Sequence, residues 1–234
     1  LYSSAASDVY KRQSVVGNAR QAGQLEIGVR DFRSYARDRH RTVDDAPYGG
    51  GDGMVLKCEP LVAAIEAVRE EASRVLLMTP RGRRFSQEIA QELALEEHLV
   101  LVCGRYAGFD ERIAEETGAE VLSIGDFVLS GGEVAALAVT EAVARLVPGV
   151  LGNPASAGDD YFSEGQLEYP LYTRPREFRG RPVPGVLLSG NHGDVDRWRH
   201  VQALRETRRR RPDLLSGLQL SEEDRAILRE LERE

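Results

Sequence analysis

The sequence predicts an α/β domain with parallel strands, and three observations carry that expectation. Apolar runs at residues 74–78 ("RVLLM"), 99–103 ("LVLVC") and 119–124 ("AEVLSI") are each short, largely aliphatic and bounded by polar or glycine-containing segments. Each is followed by a loop and then a helix-like stretch, and such strand–loop–helix units in succession imply a parallel sheet. The chain also has the bulk of a folded globular protein: 234 residues, 41% apolar and 29% charged.

Taken in order, residues 1–13 ("LYSSAASDVYKRQ") show no periodicity and read as an adaptor-like extension unrelated to the fold, so the first element is expected after Ser14. "SVVGNARQAG" predicts a short helix ending near Gly23, and "QLEIGVRDF" alternates like a strand. Residues 40–54 ("HRTVDDAPYGGGDGM") form a long turn-rich loop, with "GGGDG" outside the three strand–loop–helix units and read as flexible. "LVAAIEAVREEA" predicts a helix before the first strand. "FSQEIAQELALEE", "RIAEET" and "VAALAVTEAVARLV" predict the helices after the three strands. Ser130 and Glu133 have the spacing of a capping box at the start of the last of these. After Pro148, Gly, Pro and small polar residues dominate through residue 185, which reads as a linker and an irregular entry segment. "DVDRWRHVQALRETRRRR" and "SEEDRAILRELERE" then predict two helices, the second capped by Ser221 with Asp224.

Charge and cysteine usage narrow the function classes. The net charge is −7, yet residues 174–211 hold 11 Arg against Glu177, Asp194, Asp196 and Glu206. That segment is a candidate contact for a polyanion, and arginine forks suit phosphate. Cys58 and Cys103 are the two cysteines and are far apart, so a disulfide framework or structural zinc site is not expected and a reducing, cytoplasmic setting is. No apolar run approaches the ~20 residues that cross a bilayer. Loops after the strands, Thr79–Gly82, Gly104–Gly108 and Gly125–Gly132, are expected to gather at one sheet edge, where open α/β sheets bind ligands. Neither a dinucleotide G-x-G-x-x-G nor a P-loop is present, and no nucleophile elbow exists.

In this order, "RHRTVDDAPYGGGDGM", "CGRYAGFDER", "SIGDFVLSGGE", "RLVPGVLG", "YTRP" and "VLLSGNH" resemble the bacterial tRNA (guanine-N1)-methyltransferase family, the TrmD family of the SPOUT superfamily, from Ser14 to the carboxyl terminus. The resemblance implies a SPOUT α/β-knot, a trefoil-knotted parallel sheet, with a small helical C-terminal domain. It implies domains at 14–152 (knotted, S-adenosylmethionine-binding, lacking the family's first strand), 153–170 (linker) and 171–234 (helical, tRNA-binding). The implied reaction is methyl transfer from S-adenosylmethionine to N1 of the guanosine immediately 3′ of the anticodon.

By matching motifs, the cofactor-binding residues are Leu77, Thr79, Pro80, Gly104, Tyr106, Gly108, Ser123, Ile124, Gly125, Asp126, Phe127, Val128, Leu129, Gly131 and Gly132. Asp160 is implied as the general base and Arg145 as the guanine contact, although in isolation they read as a solvated linker carboxylate and a helix charge. Arg174, Arg199, Arg208, Arg209, Arg210 and Arg211 are the RNA-binding candidates. Partners implied are the tRNA anticodon stem-loop and a second copy in an obligatory homodimer, whose linker and C-terminal domain complete the first copy's site; no DNA or membrane is expected. Mg²⁺ assistance is a family feature, but no metal-ligand spacing is visible. Ala107 stands where the family commonly has Glu. The alternatives are an impaired RNA- or adenosine-binding fragment, or a SPOUT enzyme acting on another RNA atom.

Overall fold

The computed structural model describes residues 15–105, 107–151, 162 and 165–233. The chain divides into two compact units, Leu1–Pro154 and Ala155–Glu234.

The first unit is mixed α/β, with three parallel strands at its centre. Helix α1 (Val15–Gln21) leads to a single 3₁₀ turn at Phe32–Tyr35. Strands β1 (Asp44–Asp45) and β2 (Val55–Leu56) form a short antiparallel pair. Then follow α2 (Cys58–Val68), β3 (Arg74–Arg84), α3 (Gln87–Leu93), β4 (Leu99–Cys103), α4 (Arg112–Thr117), β5 (Glu120–Ser123) and α5 (Glu133–Ala144). The strand order is β4-β3-β5, and both pairings are parallel. The apolar runs are continuous because the sheet is covered on both faces. Leu76 and Met78 point into one core with Ile89, Leu93, Val139 and Val143. Val75 and Leu77 point into the other with Leu61, Ile65, Val102 and Ile113. Each fully buried aliphatic chain contributes roughly 1.5–3 kcal/mol.

Three expectations need correction. No strand forms over "QLEIGVRDF". Its apolar residues Leu25 and Ile27 are only half-buried, and no neighbouring strand accepts its backbone. Helix α2 starts earlier than predicted, because Pro60 is tolerated in a first turn, and ends at Val68 where Arg69 turns extended. Strand β3 does not stop at Met78. It runs on through "TPRGRR" to Arg84, a stretch whose charges and proline conceal it.

The second unit has a two-stranded hairpin, β6 (Glu177–Phe178) and β7 (Arg181–Pro182), a 3₁₀ turn at Gly185–Leu188, and helices α6 (His192–Arg210), α7 (Pro212–Leu215) and α8 (Glu222–Leu231). Asn191 caps α6 through the Gly193 N–H. The predicted capping box at Ser221 and Asp224 is present. Leu204, Ile227 and Leu231 form the small core between α6 and α8. Buried Thr207 donates to Ala203 O and accepts the Leu167 N–H at 2.9 Å. No helix among the described residues is long and apolar enough to cross a membrane.

Candidate cofactor site and arginine surface

Met78 is paired to both Cys103 and Leu122, so the segments beginning at Thr79, Gly104 and Ile124 leave the sheet side by side. The first of them is not an open loop. Leu122 pairs with Met78 and again with Arg83, and residues 79–82 are taken up between these two pairings. A Cβ on Gly82 would lie 2.3 Å from the Leu122 backbone nitrogen, so glycine there lets chain approach chain, not chain approach ligand. Thr79 is half-buried and Pro80 exposed, whereas Leu77 is fully buried and paired on both sides.

The second and third loops are tied together. The Gly132 N–H donates to Gly104 O at 2.8 Å, and Arg105 bridges to Gly131. A Cβ on Gly132 would come within 2.9 Å of the Cys103 Cα. The expected capping box at Ser130 is absent: Gly132 is the N-cap, without a side-chain bond. Glu133 instead accepts from Arg105 Nε at 2.8 Å, so its carboxylate fastens loop to loop in place of capping the helix. Ser123 Oγ accepts the Gly125 N–H at 3.2 Å and donates to Gly125 O at 3.1 Å. Gly125 is buried with φ +148°, and the Phe127 ring stands 2.6 Å from where its Cβ would be. Gly108 also has positive φ. Ile124 is half-buried, and Asp126 is a surface residue near Arg84.

A fourth segment joins the cluster, one that sequence reading set aside. The Ala107 N–H donates to Met54 O at 2.9 Å, the Leu56 N–H to Gly108 O at 2.9 Å, and the Asp110 N–H to Leu56 O at 3.1 Å. A Cβ on Gly53 would touch the Ala107 side chain at 3.4 Å. The end of "GGGDG" therefore lies against the second loop. Gly53, Met54, Arg105 and Glu133 are parts of this loop cluster that sequence reasoning did not single out. The available signal was the strand-like pair "VL" directly after the glycines.

The cluster combines glycine backbone with unfilled apolar surface. Phe127 is 52% exposed and Val128 87%, with Leu129 and Val134 also exposed. Backbone donors and acceptors beside apolar side chains fit a flat heteroaromatic group such as adenine, whose polar edge needs partners. Thiol chemistry does not fit. Burial and then Glu133 push the Cys103 thiol up to about 11. Burial and then a hydrogen bond to Asp110 do the same to Cys58, also to about 11. Asp110 itself is held well below the usual carboxylate range by Arg112, which bonds it through Nε and Nη2. Among the described residues no three His, Cys, Asp or Glu are grouped to hold a metal.

The remaining candidates lie elsewhere. Arg145 is the C-cap of α5, at the opposite end of a 12-residue helix from Gly132, roughly 18 Å along its axis. Asp160 and Tyr106 lie outside the described residues, as does the segment 1–13. In the second unit Arg199 stacks over the Tyr169 ring at 5.1 Å. Arg209 and Arg210 both bond Glu206, and Arg211 bonds Asp213. Arg174 is exposed.

A family model described as tRNA (Guanine-1)-methyltransferase TrmD matches residues 4–217. The chain belongs to this family. It is 58% identical over 224 residues to a protein of Geobacter sulfurreducens named tRNA (guanine-N(1)-)-methyltransferase, covering 95% of this chain and 91% of the relative. Proteins of the same name from Moorella thermoacetica and Pediococcus pentosaceus are 54% and 51% identical, each covering at least 90% of both chains. The TrmD family match begins inside the segment that the sequence reading set apart as an extension and takes in all four segments of the loop cluster.

Proposed function

We propose that the chain is a tRNA methyltransferase that moves a methyl group from S-adenosylmethionine to N1 of the guanosine immediately 3′ of the anticodon. The observation that carries this is family membership over nearly the whole chain, with relatives of that name at 51–58% identity. In this reading the parallel sheet is knotted in the SPOUT manner and its carboxyl-edge loops hold the adenosyl group. Thr79, Pro80, Gly104, Tyr106, Gly108, Ser123, Ile124, Gly125, Asp126, Phe127, Val128, Leu129, Gly131 and Gly132 surround it, and Leu77 supports them from the core. When bound, S-adenosylmethionine supplies an electrophilic methyl group on a sulfonium.

The chain's own residues handle the proton and the charge. N1 of neutral guanine bears a proton and is a poor nucleophile, so a base must take that proton as the N1–methyl bond forms. Asp160 has that role. Arg145 donates to O6, where negative charge gathers as N1 is deprotonated. The active form is a homodimer, in which the linker and C-terminal domain of one copy complete the site of the other. Residues 14–152 are the catalytic domain, 153–170 the linker and 171–234 the tRNA-binding domain, which works in the cytoplasm. The family's Mg²⁺ assistance has no grouped ligands among the described residues and is tested by activity: EDTA should slow transfer, and an unchanged rate removes the ion.

The test is methylation of a tRNA transcript followed by mass mapping of the modified nucleoside. N1-methylguanosine next to the anticodon supports the reading, and a ribose or other base methyl contradicts it. In the same assay Asp160→Asn should lower the single-turnover rate ~10²–10⁴-fold while leaving cofactor affinity close to wild type. A mutant that keeps half the rate removes Asp160 from the mechanism.

A further inference from the structure

The hairpin of the second unit departs from ordinary turn chemistry. Glu177 pairs with Pro182 and Phe178 with Arg181, leaving Arg179 and Gly180 as a two-residue turn. Both have positive φ, +53° and +75°, the signature of a type I′ turn. Asn-Gly or Asp-Gly is the relaxed choice at such a turn, and arginine with positive φ is strained. Strained residues persist where the side chain is wanted in that place. Here the Arg179 guanidinium lies over the Phe178 ring, 5.2 Å from its centroid, and Phe178 is 61% exposed.

The surrounding charge points to a polyanion. Among the described residues Arg174, Arg176, Arg179 and Arg181 form no ion pair with a carboxylate. Arg209, Arg210 and Arg211, by contrast, pair at their own helix end. Aromatic–arginine and aromatic–aromatic pairs recur in this unit: Arg199 over Tyr169, and Tyr172, itself half exposed, beside Trp198 at 6.3 Å. A flat ring with a flat cation, set among uncompensated arginines, is the chemistry that holds an unstacked base of single-stranded nucleic acid. Duplex RNA offers no base face to it.

We infer that the tip of the β6–β7 hairpin, Phe178 with Arg179, is a stacking platform for one unpaired base of the substrate RNA loop. This rests on the tRNA reading above and adds a contact that reads loop structure beyond phosphate. Four variants of the full chain test it: Phe178→Ala, Phe178→Trp, Arg179→Asn and Arg179→Lys. Binding is measured by anisotropy to an anticodon stem-loop and to a blunt duplex of equal length, across salt concentrations. Phe178→Ala should weaken stem-loop binding about tenfold to a hundredfold with an unchanged salt slope and unchanged duplex binding, and Phe178→Trp should restore it. Arg179→Asn should weaken it too while the melting temperature holds or rises, because the turn is relaxed; Arg179→Lys should recover only part.

Wild-type chain that neither binds the stem-loop nor methylates tRNA overturns the functional reading itself and this inference with it. Wild-type chain that methylates tRNA while Phe178→Ala binds the stem-loop as tightly overturns the platform alone. Equal weakening on duplex and stem-loop, or a changed oligomeric mass in Phe178→Ala, also overturns it, the latter by assigning the hairpin to an interface between copies.

Discussion

The two ends of the central sheet solve opposite problems. At the amino edge, Arg74 of β3 donates to Glu120 of β5 through Nε at 2.7 Å and Nη2 at 3.0 Å, and to Glu96 at 3.3 Å. Glu92 of α3 is close by and also pairs with Arg83. Arg74 thus gathers three carboxylates, Glu92, Glu96 and Glu120, at this edge. At the carboxyl edge, glycines bring four backbone segments together, and apolar side chains from Phe127 to Val134 stand exposed. The difference separates an edge whose central arginine is satisfied within the chain from one that leaves apolar surface unfilled, the edge proposed above for the cofactor. A cavity of about 760 Å³ at the amino edge, lined by Glu66, Arg69, Arg74, Glu96 and Glu120 among others, is polar and open to solvent, with the Arg74 ion pairs in its wall.

The comparison breaks most sharply at the glycines. Gly82→Ala should cost about 3 kcal/mol or more, because the added carbon meets the β5 backbone, which cannot retreat as a flexible side chain would. A urea midpoint within error of wild type would mean that β3 and β5 are not packed as described. Gly125→Val should behave differently. Its Cβ meets the movable Phe127 ring, so stability should fall by only about 1–2 kcal/mol. Calorimetry should show S-adenosylhomocysteine binding lost, with oligomeric mass unchanged; normal affinity would remove this loop from the site.

At the amino edge, Arg74→Met should destabilise by on the order of 2 kcal/mol without changing cofactor affinity, since it strips charged hydrogen bonds from Glu120 and Glu96. The pH dependence follows in sign. The Arg74 partnership lowers the Glu120 pKa below its ordinary value. Its contribution is therefore complete above the unfolded value near ~4.3 and is lost as pH falls through the lower folded value. The wild-type advantage over Arg74→Met in urea melts should shrink at acidic pH; an advantage that grows there would contradict the clamp. The smallest effect is expected from neutralising Arg208, Arg209, Arg210 and Arg211 together. If two reach phosphate, the log–log salt slope for tRNA falls by about 1.4–1.8. The pairing of Arg209 and Arg210 with Glu206 and of Arg211 with Asp213 makes an unchanged slope the mark of a solvated helix end.

The fold was legible where burial is two-sided. "LVLVC" and "AEVLSI" are strands because both faces of the sheet are covered, and that demands unbroken apolar runs. The extension of β3 was not, because "TPRGRR" pairs with β5 through backbone while its charged side chains reach solvent. "QLEIGVRDF" misled because alternation proposes a strand but supplies no partner. Within the loop cluster, the crowded glycine positions were legible, since close backbone approach restricts residue choice. The Arg105–Glu133 tie was not, because Glu133 satisfies a local capping pattern and only the approach of the second loop redirects it. The contribution of Gly53 and Met54 depends on a contact between segments distant in sequence, which no local pattern records.

Hydrogen exchange of the wild-type chain with and without S-adenosylhomocysteine tests the central claim most directly. The account predicts new protection in the backbone of 104–108 and 123–132 and none at 69–74. Protection centred on the amino edge around Arg74, or none at the glycine loops under saturating ligand, would contradict it.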